Sequence, residues 1–367
     1  MLLFEKIRFF GVDTPTGVGT HCTETMKALS ALQIENIQIE LIKHNYIDQV
    51  QAAISTSSDS DVNIFFFPEV YVKNLKGTKI YWCVFESSRP NPGYEEWLQS
   101  FNFIFATSQW GRKAMLEFGM DGSKIFVIPE GVDHRFYNPF GRPLTLKDGK
   151  TKFLMVGKYE HKKGYQEAFE SLRIASELNP NLELHTKSDW INGVNSVLHP
   201  EFLGLVKKYQ NKFKISVYSG ILSREQMRWL YYSCDYFLHP SRCEGWSLPL
   251  IEALACGTPC LSTLFGGHSE YLDFLPEANK IETTLKPVDC LTYKEDVKHT
   301  DGNWGQWAYP NVDELAIQIL NSAQVTNSSD LTGSNYVRRF FSWDLVAEKI
   351  LSFLRTQSQR PISTKSL

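Results

Sequence analysis

Short apolar runs recur along the chain, and between them the apolar positions fall three and four residues apart. Ile7 to Val12 is the first run and reads as a buried strand. A turn-rich loop follows, Asp13-Thr-Pro-Thr-Gly-Val-Gly-Thr20. Met26, Leu29 and Leu32 then space out a helix over His21 to Leu32. Further strands are predicted at Ile37 to Ile42, Val62 to Phe67, Lys79 to Phe85, Phe101 to Ala106 and Lys124 to Ile128, with a helix over Trp110 to Phe118. Asn138-Pro-Phe-Gly-Arg-Pro143 to Lys150 is rich in Pro, Gly and charge and reads as a linker.

The alternation then restarts. Strands are predicted at Phe153 to Val156, Leu182 to His185, Lys214 to Tyr218, Tyr236 to His239 and Pro259 to Ser262. The helices between them are Tyr165 to Leu178, Arg224 to Ser233 and Pro249 to Cys256. Strands alternating with helices imply parallel sheets covered on both faces. The fold class expected is α/β, as two Rossmann-like doubly wound domains: 1–140, a hinge at 141–150, and 151–335. Ligands of such sheets bind at the C-terminal ends of the strands, here in a cleft between the two domains. Asp301 to Pro310 reads as a loop with two exposed tryptophans, Tyr336 to Leu354 as a final helix, and 356–367 as a disordered tail.

Composition narrows the function. The 367 residues exceed one ordinary core. With 43% apolar and 22% charged residues the chain is an ordinary globular protein, and a net charge of −3 gives no footprint for nucleic acid. Its seven cysteines are scattered, with no C-x-x-C and no zinc spacing, so buried reduced thiols in a cytoplasmic enzyme are expected. Charges interrupt the N-terminal apolar run, unlike a signal peptide, and no run of eighteen apolar residues exists. Peripheral contact at a membrane face stays open.

The chemistry concentrates in SRCEGWSLPLIEALACGTPC, Ser241 to Cys260. Glu244 falls on a loop after a strand. Pro249 suits a first helical turn, which places Glu252 in that turn. The N–H groups of Ser247 and Leu248 then lie free at a helix N-terminus, where an anion such as a diphosphate binds. Glu252 could accept from ribose hydroxyls and Glu244 from a second sugar. Against this, a glutamate in a first turn is favourable by ~0.3–1 kcal/mol with no ligand present. A second signal lies after the strand at Phe153. Gly157 is followed by Lys158, Lys162 and Lys163 in one loop, and charge-assisted bonds to phosphate contribute ~1.5–3 kcal/mol each. A solvated basic loop is the plain alternative.

Together these motifs resemble a GT-B glycosyltransferase of the large retaining class called family 4. Glu244 to Glu252, in EGWSLPLIE, matches its Glu-x7-Glu motif. Lys158 and Lys163 match its basic pair five apart, with Lys in place of the usual Arg. ATSQWGRKAMLEFGMDGSKIFVIPEGVDHRFYNP (Ala106 to Pro139) is similar to the close of the family's first domain. RRFFSW (Arg338 to Trp343) is similar to the start of its last helix, which completes that domain. The resemblance implies transfer of a hexose-type sugar from a GDP- or UDP-linked donor to a glycan, lipid or other hydroxyl acceptor. It implies no cofactor and no metal, since lysines and a helix N-terminus neutralise the leaving diphosphate. Donor-binding residues would be Lys158, Lys163, Gly245, Trp246, Ser247, Leu248 and Glu252, with Gly17 and Gly19 closing over the phosphates. Glu244 would act at the donor sugar. Glu86, in Tyr81-Trp-Cys-Val-Phe-Glu-Ser-Ser-Arg-Pro90, stands where many members carry a histidine, and is expected to be catalytic or to pair with Arg89 or a capping N–H.

Competing readings are a nucleotide-sugar epimerase on the same fold and a non-catalytic sugar-nucleotide sensor. A NAD-dependent dehydrogenase is disfavoured, because the Gly17-Gly19 loop lacks a third glycine. Asp59-Ser-Asp61 reads D-x-D, a pattern of metal-dependent transferases, but sits in a polar run expected to be a loop.

Overall fold

The computed structural model describes residues 4–67, 74–90, 94–141, 148–188, 190–192, 195–288, 303–325 and 330–358. These form two compact units. The first holds the described residues up to Val84, 94–131 and those from Phe341 on. The second holds Phe85 to Pro90 and the described residues from Val132 to Phe340.

In the first unit the order is β1 (Lys6–Gly11), α1 (Gly17–Ala31), β2 (Gln38–Lys43), α2 (Ile47–Ser55), β3 (Asp61–Phe65), β4 (Thr78–Cys83), α3 (Glu95–Gln99), β5 (Phe103–Ala106), α4 (Gln109–Glu117) and β6 (Ile125–Val127). The sheet runs β2-β1-β3-β4-β5-β6 with all pairs parallel. Its strands are apolar on both faces because helices cover both: Phe9, Phe10, Val62, Ile64, Ile80 and Phe105 are buried. Arg8 is also buried, and its guanidinium is held by Glu40 at 2.5 Å and by Asp61. Asp61 thus opens β3 with its carboxylate paired to Arg8, while Asp59 lies in the turn before it.

The second unit continues with β7 (Thr151–Val156), α5 (Tyr165–Leu178), β8 (Leu182–Lys187), the antiparallel hairpin β9 (Trp190–Asn192) and β10 (Asn195–Val197), α6 (Pro200–Tyr209), β11 (Lys214–Tyr218), α7 (Arg224–Ser233), β12 (Tyr236–His239), α8 (Leu248–Ala255) and β13 (Cys260–Ser262). A second hairpin, β14 (Thr283–Pro287) with β15 (Gln306–Pro310), precedes α9 (Val312–Gln324) and α10 (Leu331–Phe340). The parallel sheet runs β11-β8-β7-β12-β13. The order reverses between β7 and β12, the switch point where ligands bind in such sheets. Finally α11 (Trp343–Ser358) returns to the first unit and packs beside α1.

In these elements the structure departs from the sequence reading at three places. The helix α1 begins at Gly17, not His21, because Thr16 caps it by accepting from Gly19 N. A Cβ at Gly19 would lie 1.9 Å from Thr14 O, so this turn closes only around glycine. The C-terminal helix is two, broken before Trp343, where Ser342 Oγ accepts from Leu345 N. Trp304 and Trp307 are buried, and Trp307 lies on a strand rather than in an exposed loop. Of the expected hinge, 142–147 lie outside the described residues, as do 359–367 of the expected tail.

Candidate functional site

All of the site residues named from the sequence except Gly17 and Gly19 fall in the second unit, on three segments. Gly17 and Gly19 lie in the first turn of α1, in the first unit.

The first segment leaves β7. Gly157 follows the strand, Lys158 is exposed, and His161–Lys163 make one 3-10 turn. Gly164 ends that turn at φ 68°, and a Cβ there would lie 2.1 Å from Pro240 O. The lysine turn is therefore pressed onto the end of β12, and Arg242 N donates to Lys162 O at 2.6 Å. Lys163 folds back over Gly157, whose Cβ position lies 3.3 Å from Lys163 Cε.

The second segment leaves β12. Glu244 is 3% exposed, and Lys163 Nζ donates to its Oε1 at 2.6 Å. Burial pushes the Glu244 carboxyl up, but the Lys163 and Lys162 ammoniums outweigh it and hold the group well below the usual carboxylate range. Gly266 carries the Glu244 carbonyl: Gly267 N donates to Glu244 O at 2.6 Å, and a Cβ at Gly266, with φ 133°, would lie 2.3 Å from that oxygen. Gly245 and Trp246 are buried, with the Trp246 carbonyl accepting from Tyr271 OH at 2.7 Å.

Ser247 takes φ 72° and ψ 78°, a left-handed conformation uncommon for a residue with a Cβ. Its hydroxyl does not cap α8. Ser262 Oγ donates to Thr263 O at 2.8 Å, so it accepts from His239 Nδ1–H at 3.1 Å. His239 Nε2 then carries the lone pair and accepts the Ser247 hydroxyl proton at 3.0 Å. Burial, with His268 against it, lowers the His239 imidazole well below its ordinary range and keeps it neutral, although Glu244 Oε1 is 3.9 Å away. Among the described residues neither Ser247 N–H nor Leu248 N–H has an acceptor. The turn thus presents two backbone donors at the N-terminus of α8, where the dipole favours an anion.

Glu252 is the fifth residue of α8, so it lies in the second turn and not the first, because the helix starts at Leu248. It is half-buried, and its Oε2 accepts from the buried Tyr231 OH at 2.7 Å. That bond orients the carboxylate, which the sequence alone did not indicate.

The third segment is Phe85 to Pro90, which packs with the second unit. Glu86 O accepts from Trp307 Nε1 at 2.8 Å, and Ser88 Oγ accepts from Gln306 N at 2.8 Å. The Glu86 carboxylate pairs with Lys162, which also meets Glu160 at 3.2 Å. The partner is thus a lysine of the loop after β7, not Arg89. Behind the site, Arg242 is buried, bonds Glu167 Oε1 at 2.6 Å and lies 4.1 Å from the Tyr309 ring. Arg242 carried no signal in the sequence beyond its place before Glu244. Among the described residues no group of three His, Cys, Asp or Glu side chains could hold a metal ion, and no helix is long and apolar enough to cross a membrane.

The first two segments, but not Phe85 to Pro90, fall within a stretch that matches a known family. Residues 140–274 match the family Glycosyl transferases group 1. Mannosylfructose-phosphate synthase of Agrobacterium fabrum is 22% identical over 277 residues, 72% of this chain and 55% of that protein. The chain spans about half the length of the curated relatives it matches. Anabaena HepE, solved with UDP and glucose, superposes with a TM-score of 0.62 at 14% identity, over 96% of this chain and 100% of that one. Sucrose-phosphate synthase of Thermosynechococcus elongatus superposes with a TM-score of 0.66 at 15% identity, over 96% and 99%. The fold is that of the GT-B glycosyltransferases, and residues 140–274 of this chain match the glycosyltransferase group 1 domain.

Proposed function

We propose that the protein transfers a hexose-type sugar from a UDP- or GDP-linked donor to a hydroxyl of a glycan or lipid acceptor. The anomeric configuration is retained and no metal takes part, as in family 4. The observation that carries this reading is the meeting of Lys163, Glu244 and the unused N–H groups of Ser247 and Leu248 at the switch point of the second sheet. An ammonium and a helix N-terminus suit a diphosphate, and a buried carboxylate beside them suits sugar hydroxyls. HepE was solved with UDP and glucose and with UDP-glucose, which favours a uridine donor.

In this reading Lys158, Lys163 and the α8 N-terminus hold the diphosphate and stabilise the charge that builds on it as the glycosidic bond breaks. Glu252, oriented by Tyr231, accepts from the ribose hydroxyls. Gly245 and Trp246 shape the loop under the donor. Glu244, kept ionised by Lys163, accepts from hydroxyls of the donor sugar. Glu86 belongs to the same charge cluster through Lys162 and acts on the reacting groups from there. The protein works in the cytoplasm, with the acceptor presented there or at a membrane face.

The test is incubation with UDP- and GDP-hexoses and a panel of glycan and lipid acceptors, with and without EDTA. Nuclear magnetic resonance of the product reads the anomer. An EDTA-insensitive product with the donor's anomeric configuration supports the reading. An inverted product, or conversion of the donor to an epimer without acceptor, overturns it.

A further inference from the structure

Glu86 sits on the short segment Phe85 to Pro90, and its ion pair with Lys162 does not by itself fix that segment. The Glu86 side chain is 36% exposed, and a pair open to water on one side contributes little to holding a chain in place. The main-chain anchors come from β15. Trp307 Nε1 donates to Glu86 O at 2.8 Å, and Gln306 N donates to Ser88 Oγ at 2.8 Å. Gly305, at φ 81°, lies so close that a Cβ there would be 2.6 Å from Ser88 Oγ and 2.9 Å from Arg89 N.

The other half of the pair hangs from the same strand. Ala308 N, next to Trp307, donates to Arg242 O at 2.9 Å, and Arg242 N donates to Lys162 O at 2.6 Å. Arg242 is itself held. Its Nη2 and Nε donate to Glu167 Oε1 at 2.6 and 3.0 Å, and its guanidinium lies 4.1 Å from the Tyr309 ring. Glu86, Trp307, Ala308, Arg242 and Lys162 thus close a ring, made of hydrogen bonds to main-chain carbonyls and the one ion pair. All its members lie in the second unit. The ring sets where the Glu86 carboxylate stands against the lysine loop, one residue from the Lys163 that holds Glu244. Trp307 is 1% exposed, so its indole acts only through what it holds.

We propose that Trp307 is a positioning residue for the sugar transfer: its indole N–H fixes the Glu86 carbonyl and so keeps the Glu86 carboxylate on Lys162, at the edge of the donor site. The inference rests on the reading above that Glu86 acts on the reacting groups. It gives a task to a tryptophan that the sequence reading left in an exposed loop. Rate depends steeply on such placement, and a shift of about 1 Å in an acting group costs on the order of a hundredfold. A carboxylate on so short a segment keeps its place only if the main chain beneath it is fixed.

The experiment is steady-state kinetics of the full chain with the UDP- or GDP-hexose and acceptor that give product in the assay above. Trp307→Phe keeps an aromatic ring and removes the N–H. Its kcat should fall about fivefold or more, with donor KM within about twofold of the parent. Ser88→Ala, a milder change at the neighbouring anchor, should lower kcat in the same direction and serves if Trp307→Phe does not fold. The decisive readout is non-additivity: in a Glu86→Gln background neither change should lower kcat further. A role in stability alone would lower kcat by the same factor in both backgrounds, and that result overturns the proposal. Reductive methylation read by peptide mass spectrometry gives a second measurement that needs no turnover. The Lys162 side chain is 7% exposed, and Trp307→Phe should speed its labelling severalfold; an unchanged rate overturns the proposal. If Glu86→Gln lowers kcat and Trp307→Phe does not, the role of Glu86 stands and the proposal falls. If Glu86→Gln turns over like the parent, the role of Glu86 falls and the proposal with it. If the parent transfers from neither donor, the functional reading falls as well.

Discussion

The Lys163–Glu244 pair gives the sharpest energetic test, because its two members differ in exposure. The Glu244 side chain is 4% exposed and that of Lys163 is 18% exposed, with 2.6 Å between Nζ and Oε1. Lys163→Met leaves a carboxylate buried, with Lys162 already shared between Glu86 and Glu160. Breaking a buried pair in this way costs about 3–5 kcal/mol. Glu244→Gln leaves an ammonium at the rim whose stem can turn its head into water, and about 1–2 kcal/mol is expected. The double variant should resemble Glu244→Gln, so the double-mutant cycle should give a coupling equal to the Lys163→Met cost, about 3–5 kcal/mol.

The pH dependence should invert. In the parent the folded Glu244 carboxyl titrates below its unfolded value of about 4.3, so its contribution is present above that value and is lost as acidification approaches the depressed one. In Lys163→Met, burial with the nearest ammonium gone raises the carboxyl. Its penalty is then absent at low pH and grows as pH rises. Urea unfolding from pH 4 to 8 reads both, with the deficit of Lys163→Met largest at pH 8. Equal costs for the two single variants, or a deficit independent of pH, would refute the reasoning.

Other consequences follow from single contacts. Ser247→Gly relieves the left-handed backbone but removes the hydroxyl that holds His239. Stability should change by less than about 1 kcal/mol, while the donor KM rises because the turn loses its fixed geometry; an unchanged KM counts against the Ser247–His239 assignment. Gly266→Ala places a Cβ 2.3 Å from Glu244 O and should lower kcat at least tenfold by moving that residue, an effect of about 1.4 kcal/mol on the barrier; kcat equal to that of the parent would contradict it. Tyr231→Phe removes the hydroxyl that donates to the Glu252 carboxylate, and donor KM should rise several-fold with kcat little changed, as steady-state kinetics would read.

What could be read in the sequence was local. β7, α5, β11, α7 and β12 carry clean periodicity, and their bounds agree with the structure to within two residues. The start of α1 was missed because Gly17 and Gly19 look like loop residues, while the close approach to Thr14 O that demands Gly19 depends on the backbone path of the turn and not on residue type. Helices such as α2 and α6 went unassigned because their apolar faces are short, and α2 buries only Ala53. In the site, the glutamates and lysines could be picked out by type, but their pairing could not. Lys163 and Glu244 are 81 residues apart. Glu86 could be paired with Lys162 only once Phe85 to Pro90 was seen against β15. Ser247 gave no sign of its left-handed backbone, since serine is an ordinary residue before a helix, and its partners, buried His239 at the hydroxyl and Tyr271 OH at the carbonyl, come from distant segments.

The central claim is a metal-free nucleotide-sugar site at the switch point of the second sheet. Thermal melting of the purified chain with UDP, GDP and ADP, with and without EDTA, in the parent and in Glu252→Ala, tests it most directly. A ligand at a hundred times its Kd adds about 2.7 kcal/mol, several degrees for a domain of this size. The expected result is a rise with one nucleoside diphosphate, unchanged by EDTA and much reduced in Glu252→Ala. No rise with any of the three, or a rise that EDTA abolishes or that Glu252→Ala shares in full, would contradict it.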